Sequence, residues 1–369
     1  MWKWGVCVFL IMYFVVFVRL FTPEGLVHLR SLPASSRFDQ LVEARVIEER
    51  SMTLMGPQMD APVETVWLGG KLVALRLGRI IARSGAATVF GVQDRPDLVV
   101  KYQCNCQVLD GVHPLVREYL LLQEVAAIGV TPRVFFLSPS TKFSDEIVAK
   151  TQWTMDLATR KACANDPRSE VRFMVSERLS GSVRPSKPLR AVNVMIDAIL
   201  ALQKLHSLGL VHGDIHPGNV GFRSRNRNEQ VVLLDLGFSH FVSDENPFRW
   251  PAWLRHNHAH CWWSHWNNQG HMLAFRDDVF RTLMVGAYMI NSREWSKYCH
   301  SLESDLIAMV AWKEHANFFV IPDMEPRVSQ DALGHLIKAL SLARSVSNTH
   351  DRPPYAAIVA ALRNARDSL

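Results

Sequence analysis

Two apolar runs in this chain end in side chains that suit phosphoryl-transfer chemistry. Residues Val211 to Val220 read VHGDIHPGNV, and residues Val231 to Ser239 read VVLLDLGFS. Asp214 is suited to accept a proton from an attacking hydroxyl or to orient it, whereas Asn219 and Asp235 offer hard oxygen ligands for Mg²⁺. Two buried runs that each end in such groups predict a site for metal-bound phosphates rather than ordinary turns.

These residues resemble the catalytic loop and the metal-binding loop of the protein-kinase-like superfamily, whose usual patterns are H-R-D-x-x-x-x-N and D-F-G. Here they read HGDIHPGN and DLG. Gly213 replaces an Arg that often reads a phosphorylated activation loop, and His216 replaces the usual Lys. His-Gly-Asp with a following His is more typical of aminoglycoside phosphotransferases, choline kinases and other atypical kinases. The stretch before it, LQKLHSLGLVH, resembles eukaryotic protein kinases, and the overall resemblance is to a divergent casein-kinase-1-like protein kinase.

The resemblance implies an α+β, two-lobed protein-kinase-like domain over residues 65–369, with a β-rich small lobe to about 178 and a mainly helical large lobe after it. A chain of 369 residues, 48% hydrophobic, is large enough for one such domain. The small-lobe elements that we predict are strands within 73–93, at 97–103, at 133–139 and at the start of 171–181, and a helix at 114–128. A polar insertion at about 140–170 is longer than kinases usually carry there.

Lys101, in the predicted strand DLVVKYQ, matches the lysine that contacts the α- and β-phosphates of ATP in this superfamily. Its partner there is a Glu on the following helix. Leu121, Leu122 and Val125 form an apolar stripe beside Glu118 on the predicted helix. Glu118 is therefore the proposed ion-pair partner, and Glu124 is the competing candidate.

The nucleotide-covering loop departs from the family pattern G-x-G-x-x-G. Ala82, Ser84 and Ala87 stand at the glycine positions, with Gly85 between them and Val89 after them. Glycines there let backbone N–H groups approach phosphate closely, and Ala and Ser permit that path less freely. The resemblance still implies that Ser84, Gly85 and Val89 cover the nucleotide.

Three further assignments follow from the resemblance. Ser176 lies at the gatekeeper position, and the backbones of Glu177 and Leu179 meet the adenine edge. Asp278 matches a buried Asp that anchors the catalytic-loop backbone and is structural rather than catalytic.

The implied activity is ATP- and Mg²⁺-dependent phosphoryl transfer, most simply to a Ser/Thr hydroxyl of a protein. Asp214 would position the acceptor, Asn219 and Asp235 would hold Mg²⁺, and His216 would touch the γ-phosphate. A kinase of a small molecule or glycan is the first alternative, because of HGDIHPGN and the absence of an A-P-E motif. A non-catalytic scaffold is the second, because of the altered glycine-rich loop.

The segment between Trp250 and His271 is rich in Trp and His and contains HNHAHC. Its His and Cys side chains are potential zinc ligands, although structural zinc sites normally show two separated ligand pairs. Its Trp residues are suited to a sugar platform or a membrane-facing surface. An activation segment packed on the large lobe is the simplest interpretation.

The first residues predict a membrane anchor. Trp4 to Val18 is uncharged and apolar, Arg19 can snorkel to extend the span to Phe21, and no small-x-small cleavage site follows. We therefore predict a transmembrane helix at 1–21 and a Pro-punctuated stem at 22–64. One Lys precedes the span and three Arg follow it, which weakly favours a cytosolic domain over a Golgi or endoplasmic-reticulum lumenal one.

The remaining composition says little about partners. The net charge of +6 is scattered along the chain, which permits acidic substrates or anionic lipid, and no nucleic-acid-binding signature accompanies it. Of six Cys, Cys7 lies in the apolar run, and the remaining five give no clear disulfide framework.

Overall fold

The computed structural model shows a mixed α+β protein in which a sheet-rich part, residues 63–177, precedes a helix-rich part, residues 181–369. None of the helices in the described part of the chain is long and apolar enough to cross a membrane. The predicted anchor and stem, up to residue 62, lie outside the described residues. The structure describes residues 63–83, 87–105, 113–152, 157–166, 169–225, 228–242, 275–292, 328–346 and 351–369.

One antiparallel sheet of seven strands forms the sheet-rich part, in the order β1-β2-β3-β4-β7-β5, with β6 paired to β7. The strands β2 to β5 and β7 cover the predicted ones. The hairpin of β1 and β2 was not predicted, and β1 begins at Val63, just before the predicted domain start. The strands are β1 (Val63–Leu68), β2 (Lys71–Arg83), β3 (Ala87–Val92), β4 (Leu98–Asn105), β5 (Val134–Leu137), β6 (Thr141–Lys142) and β7 (Glu170–Glu177).

Strand β4 separates two layers because its side chains alternate across the sheet. Val100, Tyr102 and Cys104 are buried in a core on one face. Lys101 points to the other face, toward helix α1 (Pro114–Glu124). Helix α1 ends at Glu124 rather than at Ile128, because a short 3-10 turn, Ala126–Ile128, follows and Gly129 caps it with a left-handed φ of 68°.

The described residues of the polar insertion pack on the face of the sheet that is opposite to Lys101. It contributes β6 and the helices α2 (Asp145–Thr151) and α3 (Leu157–Asn165). Its buried side chains join those of the sheet in one core cluster; they are Phe143, Ile147, Val148 and Cys163. No helix or strand was predicted here, because the segment is polar and its apolar residues are few.

The helix-rich part surrounds a second core, in which helix α4 packs against α5 and α7 and helix α6 packs against α7. The polar motifs lie next to the ends of short strands, which are close to helix α4. The helices are α4 (Pro188–Ser207), α5 (Phe275–Ile290), α6 (Gln330–Arg344) and α7 (Tyr355–Asp367). The strands are β8 (Gly181–Ser182), β9 (Leu210–Val211), β10 (Val220–Arg225), β11 (Asn228–Leu233) and β12 (His240–Phe241).

His113 caps helix α1, whose Glu118 faces Lys101. Its Nδ1 accepts a hydrogen bond from the backbone N–H of Leu115 at 3.1 Å. Burial, with a smaller contribution from the charge of Arg172, lowers the pKa of His113 to about 3. The cap therefore requires a neutral imidazole, since protonation of Nδ1 removes its acceptor lone pair.

We predict that His113→Asn reduces the acid sensitivity of the fold. The folded pKa of His113 is depressed, so the unfolded chain takes up this proton below about pH 6.5 and the folded protein does not. The contribution of His113 to the free energy of unfolding is present above that pH and is lost as the pH falls. Between pH 7.5 and pH 5.0 the wild type should lose roughly 2 kcal/mol more than His113→Asn, which keeps a capping acceptor. Urea denaturation of both proteins at the two pH values measures this, and identical losses would contradict it.

Candidate active site

Asp278 on helix α5 holds the loop that carries the His-Gly-Asp motif. Its carboxylate accepts hydrogen bonds from the backbone N–H of His212 at 2.7 Å and of Gly213 at 2.9 Å. Arg281, one turn further along α5, donates to the Gly213 carbonyl at 2.7 Å. Gly213 has a φ of 81°, in the left-handed region that favours glycine. The glycine in the place of the usual Arg is thus what the backbone path requires.

Asp278 is ionised despite complete burial. Burial alone would raise its pKa, but hydrogen bonds from the His206 side chain and from the Gly213 N–H hold the pKa of Asp278 below its usual range. His206 Nε2 lies 2.9 Å from the carboxylate, and its Nδ1 contacts the Tyr355 hydroxyl. These side chains are buried and hydrogen-bonded to one another, which fits an anchoring role for Asp278.

Asp214 and Asn219 are directly hydrogen-bonded to each other. The Asn219 side-chain amide donates to the Asp214 carbonyl at 2.9 Å and to Asp214 Oδ2 at 3.0 Å. Asn219 belongs to a short 3-10 turn, Pro217–Asn219, and His216 is the N-cap of this turn. His216 Nδ1 accepts from the Gly218 N–H at 3.1 Å, and its Nε2 lies 3.6 Å from Asp214 Oδ2. His216 therefore shapes the turn and borders Asp214, in addition to the phosphate contact predicted for it.

Asp235 lies beside this loop, two residues after strand β11. The Leu234 N–H donates to the Asn219 carbonyl at 2.8 Å, which fixes the two motifs together. Asp235 has a φ of 59°, which Asp tolerates better than most residues, and its Oδ1 accepts from the Gly237 N–H at 3.2 Å. Its side chain remains 37% exposed, so the carboxylate is accessible to a cation from solvent.

Lys101 joins the sheet-rich part to this site through two carboxylates. Its Nζ lies 2.7 Å from Glu118 Oε2 and 3.0 Å from Asp235 Oδ2. Burial alone would lower the pKa of Lys101, but the charges of Asp235 and Glu118 outweigh it and raise this pKa. Burial raises the pKa of Glu118 to about 7, whereas for Asp235 the Lys101 ammonium outweighs burial and lowers its pKa. Lys101 is thus held protonated and directed at Asp235.

Among the residues predicted to meet the nucleotide base and phosphates, Val89 lies beside Lys101. Val89 is the cross-strand partner of Lys101 on β3, so both side chains share a face of the sheet. Ser84 and Gly85 lie outside the described residues. The segment 177–179 connects the two parts, and within the described residues the Leu179 N–H meets no hydrogen-bond acceptor. That donor is available to a ligand, and the adenine contact of Leu179 stays a prediction.

Arg223 on strand β10 is a residue of this region that the sequence did not indicate. Its guanidinium makes two hydrogen bonds to the Glu177 carboxylate, at 2.7 and 2.8 Å, and donates to the carbonyls of Gly129 and Thr131. Burial would raise the pKa of Glu177, but the Arg223 hydrogen bonds lower it. Arg223 therefore ties the connecting segment and the end of the α1 region to the helix-rich part.

The donor set fits a hard divalent cation bound together with phosphates. Asn219 uses its amide N–H groups on Asp214, which leaves Oδ1 as the atom that could hold a metal, and the Asp235 carboxylate could supply a second oxygen ligand. Mg²⁺ is commonly held by one or two protein oxygens plus substrate phosphates. Within the described residues no group of three or more His, Cys, Asp or Glu side chains is placed to hold a metal. The segment between Trp250 and His271, whose His and Cys side chains are potential zinc ligands, lies outside them.

Comparison with known proteins gives partial similarity to a kinase. A stretch of 54 residues, 15% of this chain, is 37% identical to calcium/calmodulin-dependent protein kinase type I of Schizosaccharomyces pombe. The chain spans 16% of the length of that relative. No protein-family profile matches the chain. The match indicates a relationship to kinases and is too partial to show the reaction.

Proposed function

We propose that this protein is an ATP- and Mg²⁺-dependent phosphotransferase of two-lobed, protein-kinase-like fold, and that it phosphorylates Ser or Thr in proteins. The observation that carries the proposal is the position of Lys101 Nζ between Glu118 and Asp235. Glu118 and Asp235 come from distant parts of the sequence, and Asp235 adjoins the bonded pair of Asp214 and Asn219. The partial kinase match supports the same class.

In this proposal each side chain has one task. Lys101 binds the α- and β-phosphates of ATP, and Glu118 fixes the direction of the ammonium. Asp235 and Asn219 supply oxygen ligands for Mg²⁺, which when bound neutralises phosphate charge. The Leu179 N–H and the backbone of Glu177 form hydrogen bonds with the edge of the adenine ring.

Asp214 acts on the acceptor. Its carboxylate orients the hydroxyl for in-line attack on the γ-phosphorus and takes the hydroxyl proton as the new P–O bond forms and ADP leaves. Asn219 holds the carboxylate in place through Oδ2. His216, 3.6 Å from Asp214, borders the position where the γ-phosphate would lie.

A small-molecule or glycan acceptor is the second candidate, and the left-handed Gly213 favours it. This glycine removes the Arg through which many protein kinases respond to activation-loop phosphorylation. The test is incubation of the full chain with γ-labelled ATP and Mg²⁺ against a panel of proteins, peptides, sugars and amino alcohols. Label on Ser or Thr supports the protein kinase, label on a small molecule supports the second candidate, and no transfer with any acceptor supports the non-catalytic scaffold.

We also propose that residues 1–21 anchor the protein in a membrane. The predicted span has no cleavage site, and the residues assigned to catalysis all follow Leu75. The full chain should therefore stay in the membrane pellet after carbonate extraction, and a variant without residues 1–21 should be released while it keeps nucleotide binding. Recovery of a mature N-terminus beyond Phe21 would show a cleaved signal instead.

A further inference from the structure

Cys104 and Cys163 are disulfide-bonded. They are the only cysteines among the described residues, and both lie in the same core cluster with exposures of 4% and 1%, so we read them as one Cys104–Cys163 bond. The cysteine count of the sequence did not indicate this pairing.

The bond fastens the insertion to the strand that carries Lys101. Cys104 lies on β4, three residues after Lys101, and Cys163 lies on helix α3 of the insertion. The two residues are distant in sequence, so the bond removes much conformational freedom from the unfolded chain.

Polar contacts hold the insertion at a second place. Lys150 on α2 forms an ion pair with Glu64 on β1, and its Nζ lies 5.4 Å from the centre of the Tyr102 ring. The Tyr102 hydroxyl also bonds to Glu64. Arg83 donates to the Gln152 side chain at 3.2 Å. The insertion is thus a fixed layer of the fold, and the disulfide is one of its internal attachments rather than an exposed, exchangeable bond.

We propose that the Cys104–Cys163 disulfide is structural and is formed in an oxidising compartment, so that residues 63–369 lie on the lumenal or extracellular side of the membrane. Disulfides persist in such compartments, whereas the cytosol keeps thiols reduced. In forming the bond the two thiols give two protons and two electrons to the disulfide of a thiol–disulfide oxidoreductase. A bond buried in the same core cluster as Val100 and Val171 is shielded from attack by other thiolates.

This inference opposes the weak cytosolic preference given by Lys3, Arg19, Arg30 and Arg37. Only two more of these positive residues follow the span than precede it. Positive residues bias the orientation of a span without fixing it. The inference is independent of the proposed reaction, since a scaffold without activity would need the same compartment to form the bond.

The bond is tested by peptide mapping of the full chain, purified from eukaryotic cells with free thiols blocked at lysis. Trypsin cleavage after Lys101, Arg117, Lys161 and Arg168 releases residues 102–117 and 162–168. We expect these two peptides to be joined without reductant and separate with it. Recovery of both as blocked thiols would overturn the proposal without any mutation.

Cys106 offers a matched control because it lies on the same tryptic peptide as Cys104, although outside the described residues. The joined peptides should persist in Cys106→Ser and vanish in Cys104→Ser. The melting temperature should fall in Cys104→Ser and remain near the wild-type value in Cys106→Ser. A linkage that survives Cys104→Ser would contradict the proposed pairing.

The compartment is tested separately. The chain contains no Asn-x-Ser/Thr sequence, so one such site appended after Leu369 reports the side of the membrane. We expect a mass increase that is removed by an N-glycosidase. An unmodified chain, with its C-terminus open to protease in intact microsomes, would place the domain in the cytosol and overturn the proposal.

Discussion

Asp214→Asn should lower the turnover number for phosphoryl transfer by at least ~10²-fold, with little change in melting temperature. The amide has almost the shape of the carboxylate but is too weak a base to take the hydroxyl proton. It can still accept the Asn219 hydrogen bond that now reaches Oδ2 at 3.0 Å. The loop backbone is held by Asp278 and Arg281, so the fold does not depend on the charge of Asp214.

Steady-state rates of transfer to the best acceptor, together with a thermal melt of each protein, measure this effect. Asp367→Asn, at the exposed end of helix α7, removes the same charge far from the site and should leave both values unchanged. Near-normal turnover in Asp214→Asn would remove Asp214 from its assigned role. A large fall in melting temperature would mean that the lost turnover reports unfolding.

The sequence predicted the parts of the fold that follow regular patterns. The apolar stripe beside Glu118 gave the helix and its orientation, and the structure places Glu118, the preferred candidate, 2.7 Å from Lys101. The apolar runs before Asp214 and Asp235 predicted buried strands. The polar residues that follow each run predicted the two loops. Their roles toward ATP and Mg²⁺ stay predictions.

Features that depend on distant contacts could not be predicted in the same way. Arg223 follows no motif, and only the fold brings it to Glu177 and to the carbonyl of Gly129. The pairing of Cys104 with Cys163 could not be predicted, because cysteine spacing does not define a partner. The insertion has too few apolar residues for a periodic signal, and its helices are stabilised by the sheet beneath them.

Asp235→Asn should abolish the Mg²⁺-dependent part of ATP binding. The carboxylate is the main charged ligand proposed for the metal, and Asn219 alone is a neutral one. Asn is the informative substitution because Asp235 has a φ of 59°, a conformation that Asn tolerates and Ala does not. Loss of binding then reports the missing charge rather than a strained backbone.

The measurement compares thermal shifts of wild type and Asp235→Asn with ATP plus Mg²⁺ and with ATP plus a chelator. For the wild type, nucleotide at 100 times its dissociation constant stabilises the fold by about 2.7 kcal/mol, and this shift should depend on Mg²⁺. In Asp235→Asn the Mg²⁺-dependent difference should disappear. The metal-free shift should persist or grow, because Lys101 then pairs with Glu118 alone and is freer to bind phosphate. Equal Mg²⁺-dependent shifts in the two proteins would mean that the cation is held elsewhere, and the assignment of Asp235 would fail even if Lys101 still bound ATP.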